Sequence, residues 1–457
     1  EEQIILLVKE HNCNIIKGKS RQVNKRKGEK IKNKKPKKAI GPNLENGHES
    51  SESELDLKKF SDAEESESDH ETAEQKKLRL AKKYLQEIEK EEAKRAEEKE
   101  VDDAVEKRLQ RDYLEQRGKL RVDIADKYEE PTEDDVRLVK CKDHRLTLTC
   151  VCVSSSGFVF TGSKCGTIVK WSIKEKRRLG ILSHKTHPSL LKEGITSLAV
   201  STDAKFLASS DQSTNIQIWD PITLKHLHTF KGHKDVITGL VFRKNTHDLY
   251  SASKDRSVKI WSLDEMAYVE TLFGHQSSIT SIDALTRERA ITSGGRDTTV
   301  RIWKIAEESQ LIFNGPVGSL DEVKLLDEEH FVSGSDNGSL CVWSVMKKKP
   351  LCIVQEAHGS ENGVPRWITS ISTLLNSDVF ASGSYDSHIR LWKVCEAYRK
   401  VLSLFSINIH GFVNCMNFTA DGNQLYASIG QEHKSGRWFK LNNAKNGLLI
   451  VNFSIKS

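Results

Sequence analysis

Histidine, aspartate and serine recur along this chain in step with tryptophan, and brought together such side chains can do chemistry. His233, Asp255 and Trp261 are matched by His275, Asp297 and Trp303, and again by His358, Asp386 and Trp392. A Ser, His and Asp can act as nucleophile, base and orienting acid. The recurrence fits a different use: one hydrogen-bonded chain of Trp, strand Ser, His and turn Asp that pins three strands, worth burying only if every member is satisfied. These residues therefore read as structural. No Gly-rich phosphate loop, HExxH or GxSxG is present. His184 and His187 have metal-like spacing but no third ligand nearby, and the nine Cys include no CxxC, so free buried thiols in a reducing compartment are expected. The expectation is no catalysis, no metal, no cofactor and no small-molecule substrate.

Charge offers a second chemistry, the binding of phosphate. Basic residues fall in turn-like segments at Lys164, at Lys254 with Arg256, at Arg296, at Lys347 to Lys349, and in Gln431-Glu432-His433-Lys434 with Arg437. Such cations suit phosphate-backbone contacts, which position a nucleic acid without reading it. Arginine also stacks on unpaired bases. The competing reading is a solvated, Lys-rich surface. Lys259, Arg301 and Arg390, each two residues before a Trp, are expected only to pack their stems.

The elements that must position these residues form a repeat. After Pro131 the apolar period becomes two, and six segments close on Trp: Trp171, Trp219, Trp261, Trp303, Trp343 and Trp392. A degenerate seventh closes on Gly436-Arg437-Trp438. The spacing is near the ~40–45 residues of a WD-repeat blade. The fold class is thus all-β, a seven-bladed WD-repeat propeller over about 137–455. Three blades depart from the pattern. Cys165 takes the turn-Asp position in the first, Asp211 is displaced by an insertion in the second, and the fifth has Asn314-Gly315-Pro316 for Gly-His and Asn337 for Asp. Those blades are expected to be softer. Either Val136 to Val139 or Leu448 to Phe453 could complete the outer strand of the last blade.

The first 71 residues carry charge in blocks and few large apolar residues, so they read as a disordered arm. From Lys17 to Lys38 there are twelve Lys or Arg against Glu29 alone, and from Asn43 to Glu74 twelve acids against Lys58 and Lys59. The basic block, with Lys25, Arg26, Lys27, Lys34, Lys35, Lys37 and Lys38, resembles a bipartite nuclear import signal. The acidic block embeds Ser50, Ser51, Ser53, Ser66 and Ser68 in a context suited to an acidophilic kinase. Residues 72–130 read as a charged helical docking segment, with a capping box at Thr72 and Gln75. No run approaches the ~20 apolar residues of a membrane span, and no secretory leader is evident. The net charge of +6 says little by itself about partners.

Several segments together resemble a known family. They are Glu71 to Leu85, Asp112 to Gly118, Tyr268 to Gln276, Gly294-Gly-Arg-Asp297 through Ile305, Glu307 to Leu311, and Gly430-Gln-Glu-His433 with Gly436-Arg-Trp438. They look like the WD-repeat proteins of the U3 small nucleolar ribonucleoprotein, over about residues 70–453. The resemblance implies a nucleolar RNA-binding scaffold. Its partners would be U3 small nucleolar RNA at the box B/C element, a small kink-turn-binding protein, box C/D core proteins and small-subunit processome components in 18S rRNA processing. It places Arg296, Gln431, Glu432, His433 and Arg437 at family motif positions. The rivals are a peptide- or histone-tail-binding propeller, which an exposed aromatic cage would favour, and a ubiquitin-ligase receptor. The latter is poorly supported, because Trp219-Asp220 is followed by Pro221 and lacks the nearby Arg.

Overall fold

The computed structural model describes residues 121–454, apart from 141, 176, 185, 188–190, 192, 317, 396–397 and 437, together with 79, 82–88, 90, 108–109 and 114. The chain divides into Glu1–Lys82 and Lys83–Ser457. In the first unit the described residues, 79 and 82, are helical. In the second, residues 83–88, 90, 108–109 and 114 are helical, and the remainder is built from strands. The import-type basic block and the capping box lie outside the described residues. Among the described residues no helix is long and apolar enough to cross a membrane.

Apolar residues alternating with small polar ones give strands that pair as short antiparallel meanders. Six four-stranded sheets follow chain order. Blade one runs from Leu148–Val153 to Arg178–Leu182, blade two from Ile195–Val200 to His226–Lys231, and blade three from Ile237–Phe242 to Ala267–Phe273. Blade four runs from Ser281–Ala284 to Ser309–Asn314, blade five from Leu320–Leu325 to Lys347–Val354, and blade six from Ser370–Thr373 to Val401–Asn408. Inner strands of successive blades pack around the ring, and the inner strand of blade seven meets that of blade one. The core lies between blades. Ile216, Ile218 and Phe230 of blade two bury against Ile237, Leu240, Leu249 and Trp261 of blade three. A second strand such as Asp248–Ser253 is therefore buried almost throughout, whereas the outer strand Ala267–Phe273 is largely open to solvent.

Burying an indole requires a partner for its N–H. In blade three Trp261 Nε1 donates to Ser251 Oγ at 2.8 Å, Ser251 Oγ meets His233 Nε2 at 2.8 Å, and His233 Nδ1 meets Asp255 Oδ2 at 2.8 Å. A carboxylate only accepts, so in the neutral imidazole Nδ1 carries the proton and Ser251 donates to Nε2. Burial pushes the Asp255 carboxyl up, but hydrogen bonds from His233, Ser257 and the Lys234 backbone outweigh it and hold it well below the usual range. Blade four repeats the relay through Trp303, Thr292, His275 and Asp297, and blade six through Trp392, Ser382, His358 and Asp386. In blades two and five the indole still finds a hydroxyl, Trp219 on Ser209 and Trp343 on Ser333.

Blade seven differs from the expectation. Trp438 does not close a strand; it is 64% exposed in the segment between Gln424–Gly430 and Gly447–Asn452. The third strand is Gly447–Asn452, where Val451 faces Leu425 as Trp261 faces Leu249. Ala427 opposite Leu449 takes the position of Ser251 opposite Lys259. An apolar pair replaces the indole and its hydroxyl together, which leaves no polar group orphaned. The outer strand is Val136–Val139, paired from Val136↔Val451 to Val139↔Leu448. Both candidate segments thus enter the blade, one as third strand and one as fourth.

Residues 121–130, expected to continue the charged helix, instead lie along blades six and seven. Asp378 Oδ1 accepts the backbone N–H groups of Ile124 and Ala125 at 2.8 and 3.0 Å, and the Tyr128 hydroxyl donates to Gly422 O at 2.7 Å. These anchors leave only the short 3-10 turn Ala125–Lys127.

Two outcomes follow. Ser251→Ala strands both the Trp261 N–H and the His233 ring in a buried place, so denaturant unfolding should register a loss of about 1–3 kcal/mol; a change within experimental error would mean the relay is not structural. A chain beginning at residue 142 leaves the edge of Gly447–Asn452 open. It should melt at a lower temperature and self-associate in size-exclusion chromatography, and unchanged melting as a monomer would refute closure by Val136–Val139.

Candidate nucleic-acid interface

In an antiparallel blade, the turn between second and third strands lies at the same end as the link to the next blade. Lys164, Lys254, Arg256 and Arg296 all occupy such turns, and the segment from Gln431 to Asn446 fills the corresponding place in blade seven. The ring therefore gathers the candidate cations at one end. Lys347 to Lys349 do not join them: they open the outer strand Lys347–Val354, next to a turn at the opposite end.

The gathered cations differ in availability. Lys254, Arg256 and Arg296 are exposed. Arg256 has φ of 70°, in the left-handed region where a residue with a Cβ costs roughly 1–2 kcal/mol. Glycine serves the same turn position at Gly166 and Gly338. Arg296 borders a polar cleft with Gln276, Ser277, Asp297, Thr299 and Arg301. Arg301 reaches Gln310 Oε1 at 2.8 Å and is buried; Lys259 donates to Thr271 Oγ1 and Arg390 to Ala357 O, so these three are held within the blades as expected.

Lys164 and Lys434 serve the architecture of this end. Lys164 Nζ lies 3.4 Å from Glu432 Oε2 and donates to Gly436 O at 3.1 Å. Lys434 Nζ pairs at 3.1 Å with Glu322 Oε2 of blade five. Its backbone N–H donates to Asn414 Oδ1, while Asn414 Nδ2 donates to Leu148 O and Glu432 O. Burial alone would lower the Lys434 ammonium, but Glu322 raises it above its ordinary value and keeps it charged. Gln431 donates through Nε2 to Ala444 O, bracing the same segment. His433 is pushed down to about 3 by burial, with Lys434 and Lys164 adding repulsion, so at neutral pH it is an uncharged ring. Arg437 lies outside the described residues.

Beside these cations is a feature that sequence reasoning missed. Trp367 and Tyr385 of blade six meet at 4.4 Å, Tyr385 reaches Phe439 at 5.7 Å, Phe412 lies 5.8 Å from Phe439, and His433 lies 5.3 Å from Trp438. Trp438 and Phe439 present the accessible rings, 64% and 42% exposed. The adjacent aromatic pair Trp438-Phe439, at the degenerate close of the seventh repeat, was the available signal. Exposed rings can stack unpaired bases, and arginines at the same end of the ring can neutralise phosphates. Among the described residues no group of three or more His, Cys, Asp or Glu is placed to hold a metal.

Comparison with known proteins gives the chain its relatives. The family described as WD domain, G-beta repeat matches residues 181–220, 224–262, 266–304 and 351–393. U3 small nucleolar RNA-interacting protein 2 of Mus musculus is 47% identical over 392 residues, covering 83% of this chain and 82% of that protein. Ribosomal RNA-processing protein 9 of Saccharomyces cerevisiae is 32% identical over 164 residues, 29% of each chain. A solved structure of U3-55K is 44% identical with a TM-score of 0.69, covering 71% of this chain and all of that one.

The division of labour among the cations is testable by thermal and denaturant unfolding. Lys434→Ala leaves Glu322 without its partner and should cost about 1–3 kcal/mol, whereas Arg296→Ala should stay within about 0.5 kcal/mol of the parent. The reverse order would contradict the assignment.

Proposed function

Because the chain belongs to the family of U3 small nucleolar RNA-interacting protein 2, we propose that it is a non-catalytic RNA-binding scaffold of the U3 small nucleolar ribonucleoprotein. In this reading it recognises the box B/C element of U3 RNA together with a small kink-turn-binding protein, beside box C/D core proteins. It supports 18S pre-rRNA processing in the small-subunit processome, within the nucleolus. The basic arm would direct nuclear import, and the charged segment from residue 72 would grip a processome partner.

The observation that carries the reading is the convergence of exposed Lys254, Arg256 and Arg296 with the Trp438 and Phe439 rings at one end of the ring. Phosphate contacts supply affinity and register, and stacking captures bases splayed from a structured junction. Non-catalysis is supported by the relays, in which the Ser, His and Asp groups already bond one another between strands. The aromatic group also favours a second reading, a surface that grips a peptide or histone tail.

Titration of the full chain with the U3 element carrying its kink-turn protein, against a scrambled RNA, separates the two. The element should be preferred. Arg296→Glu should weaken binding to both RNAs and lower the salt slope by about one. Trp438→Ala should cost about 1–3 kcal/mol with the slope unchanged. Absence of preference would overturn the RNA reading and leave peptide binding as the leading function.

A further inference from the structure

Blade one departs from its neighbours at a single chemical position. Cys165 precedes Trp171 by the interval that separates Asp255 from Trp261 and Asp297 from Trp303. The relay is otherwise built. Trp171 Nε1 donates to Thr161 Oγ1 at 2.9 Å, and His144 Nε2 meets the same hydroxyl at 2.9 Å. The sequence pattern marks Cys165 in this blade but not His144, which follows Asp143 rather than Gly. The imidazole is 5% exposed. In blades three, four and six the next link is Nδ1 to an Asp oxygen at 2.7–2.8 Å. In blade one, His144 Nδ1 is buried with no hydrogen-bond partner of good geometry, on the side where Cys165 stands for the carboxylate.

The sulfur sits among polar groups. Cys165 Sγ is 2.8 Å from Ser163 Oγ, and as a thiol it donates to Thr167 Oγ1 at 3.3 Å and to the Asp143 carbonyl at 3.7 Å. Of the neighbouring charges, Asp143 is paired with Arg178 and Lys164 with Glu432. Burial pushes the thiol up, but His144, Ser163, Thr167 and the Arg145 backbone outweigh it and bring it down to about 6. At Cys150 and Cys341, where burial prevails, the thiol is pushed up to about 12. Cys165 is half-buried rather than sealed.

We propose that Cys165 is a reactive thiolate, a modification site for hydroperoxides, and that its oxidised sulfur supplies His144 Nδ1 with the acceptor oxygen that blade one lacks. The thiolate attacks the distal oxygen of the peroxide. An S–O bond forms, the O–O bond breaks, sulfur loses two electrons, and the departing alkoxide or hydroxide takes a proton from water. The sulfur of the sulfenic acid attacks a second peroxide: another S–O bond forms as the O–O bond breaks, water or an alcohol leaves, and loss of a proton to water gives a sulfinate, with two acceptor oxygens and one negative charge as an Asp carboxylate has.

The test uses the full chain, hydrogen peroxide as probe, a dimedone trap, and mass spectrometry of the peptides. Cys165 should be trapped about tenfold faster than Cys352 and Cys395, which are also half-buried. Iodoacetamide should alkylate it with a midpoint near pH 6. His144→Gln should slow both reactions, and if that variant does not fold, the pH profile of the parent decides. Cys165→Asp should melt above the parent without oxidant. Trapping no faster than at Cys352 and Cys395, or a midpoint near the ~8.5 of an ordinary thiol, would overturn the proposal, as would a Cys165→Asp chain that melts lower.

Discussion

An indole N–H buried between blades must find an acceptor, and the rest of the ring is arranged around that demand. Six blades answer it with one hydroxyl from the second strand, Thr161, Ser209, Ser251, Thr292, Ser333 or Ser382. Where a histidine and an aspartate extend the chain, the bond reaches the turn between second and third strands. In blades three and four that turn carries Lys254, Arg256 and Arg296. The polar network thus does more than satisfy buried groups: it anchors the turns that offer charge to a ligand. Blade seven meets the same demand by removing it, with Val451 and Ala427 in place of the pair.

Much of this was legible as spacing. Trp, His and Asp recur because each blade solves the same local problem, and local problems leave local patterns. Closure leaves none. Val136–Val139 and Gly447–Asn452 meet from opposite ends of the propeller, and nothing near either segment specifies its partner. Trp438 misled for the opposite reason, since a Gly-Arg-Trp run imitates a strand end in a segment that forms none. The fifth blade shows Asn314-Gly315-Pro316 where Gly-His would stand, whereas His144 follows Asp143 and carries no Gly-His signature.

The binding end shows the same boundary. The positions of the basic turns followed from the repeat, but their availability did not. Lys434 bonds Glu322 two blades away, Lys164 bonds Glu432 across the ring closure, and burial leaves His433 uncharged. Trp367, Tyr385, Phe412 and Phe439 are distant in sequence and become neighbours only when blades six and seven stand side by side. An end that exposes Arg256 and Arg296 together with the Trp438 and Phe439 rings suits a structured RNA junction. The charges meet phosphates, and the rings accept bases that pairing has left free.

The central claim is that this end of the propeller meets RNA, and ultraviolet crosslinking in cells, with the crosslinked peptide and the bound RNA both identified, tests it most directly. The account predicts adducts in the turns holding Lys254, Arg256 and Arg296 and in the segment from Gln431 to Phe439, with U3 box B/C sequence attached. Adducts confined to the opposite end, or RNA scattered across unrelated transcripts, would contradict it.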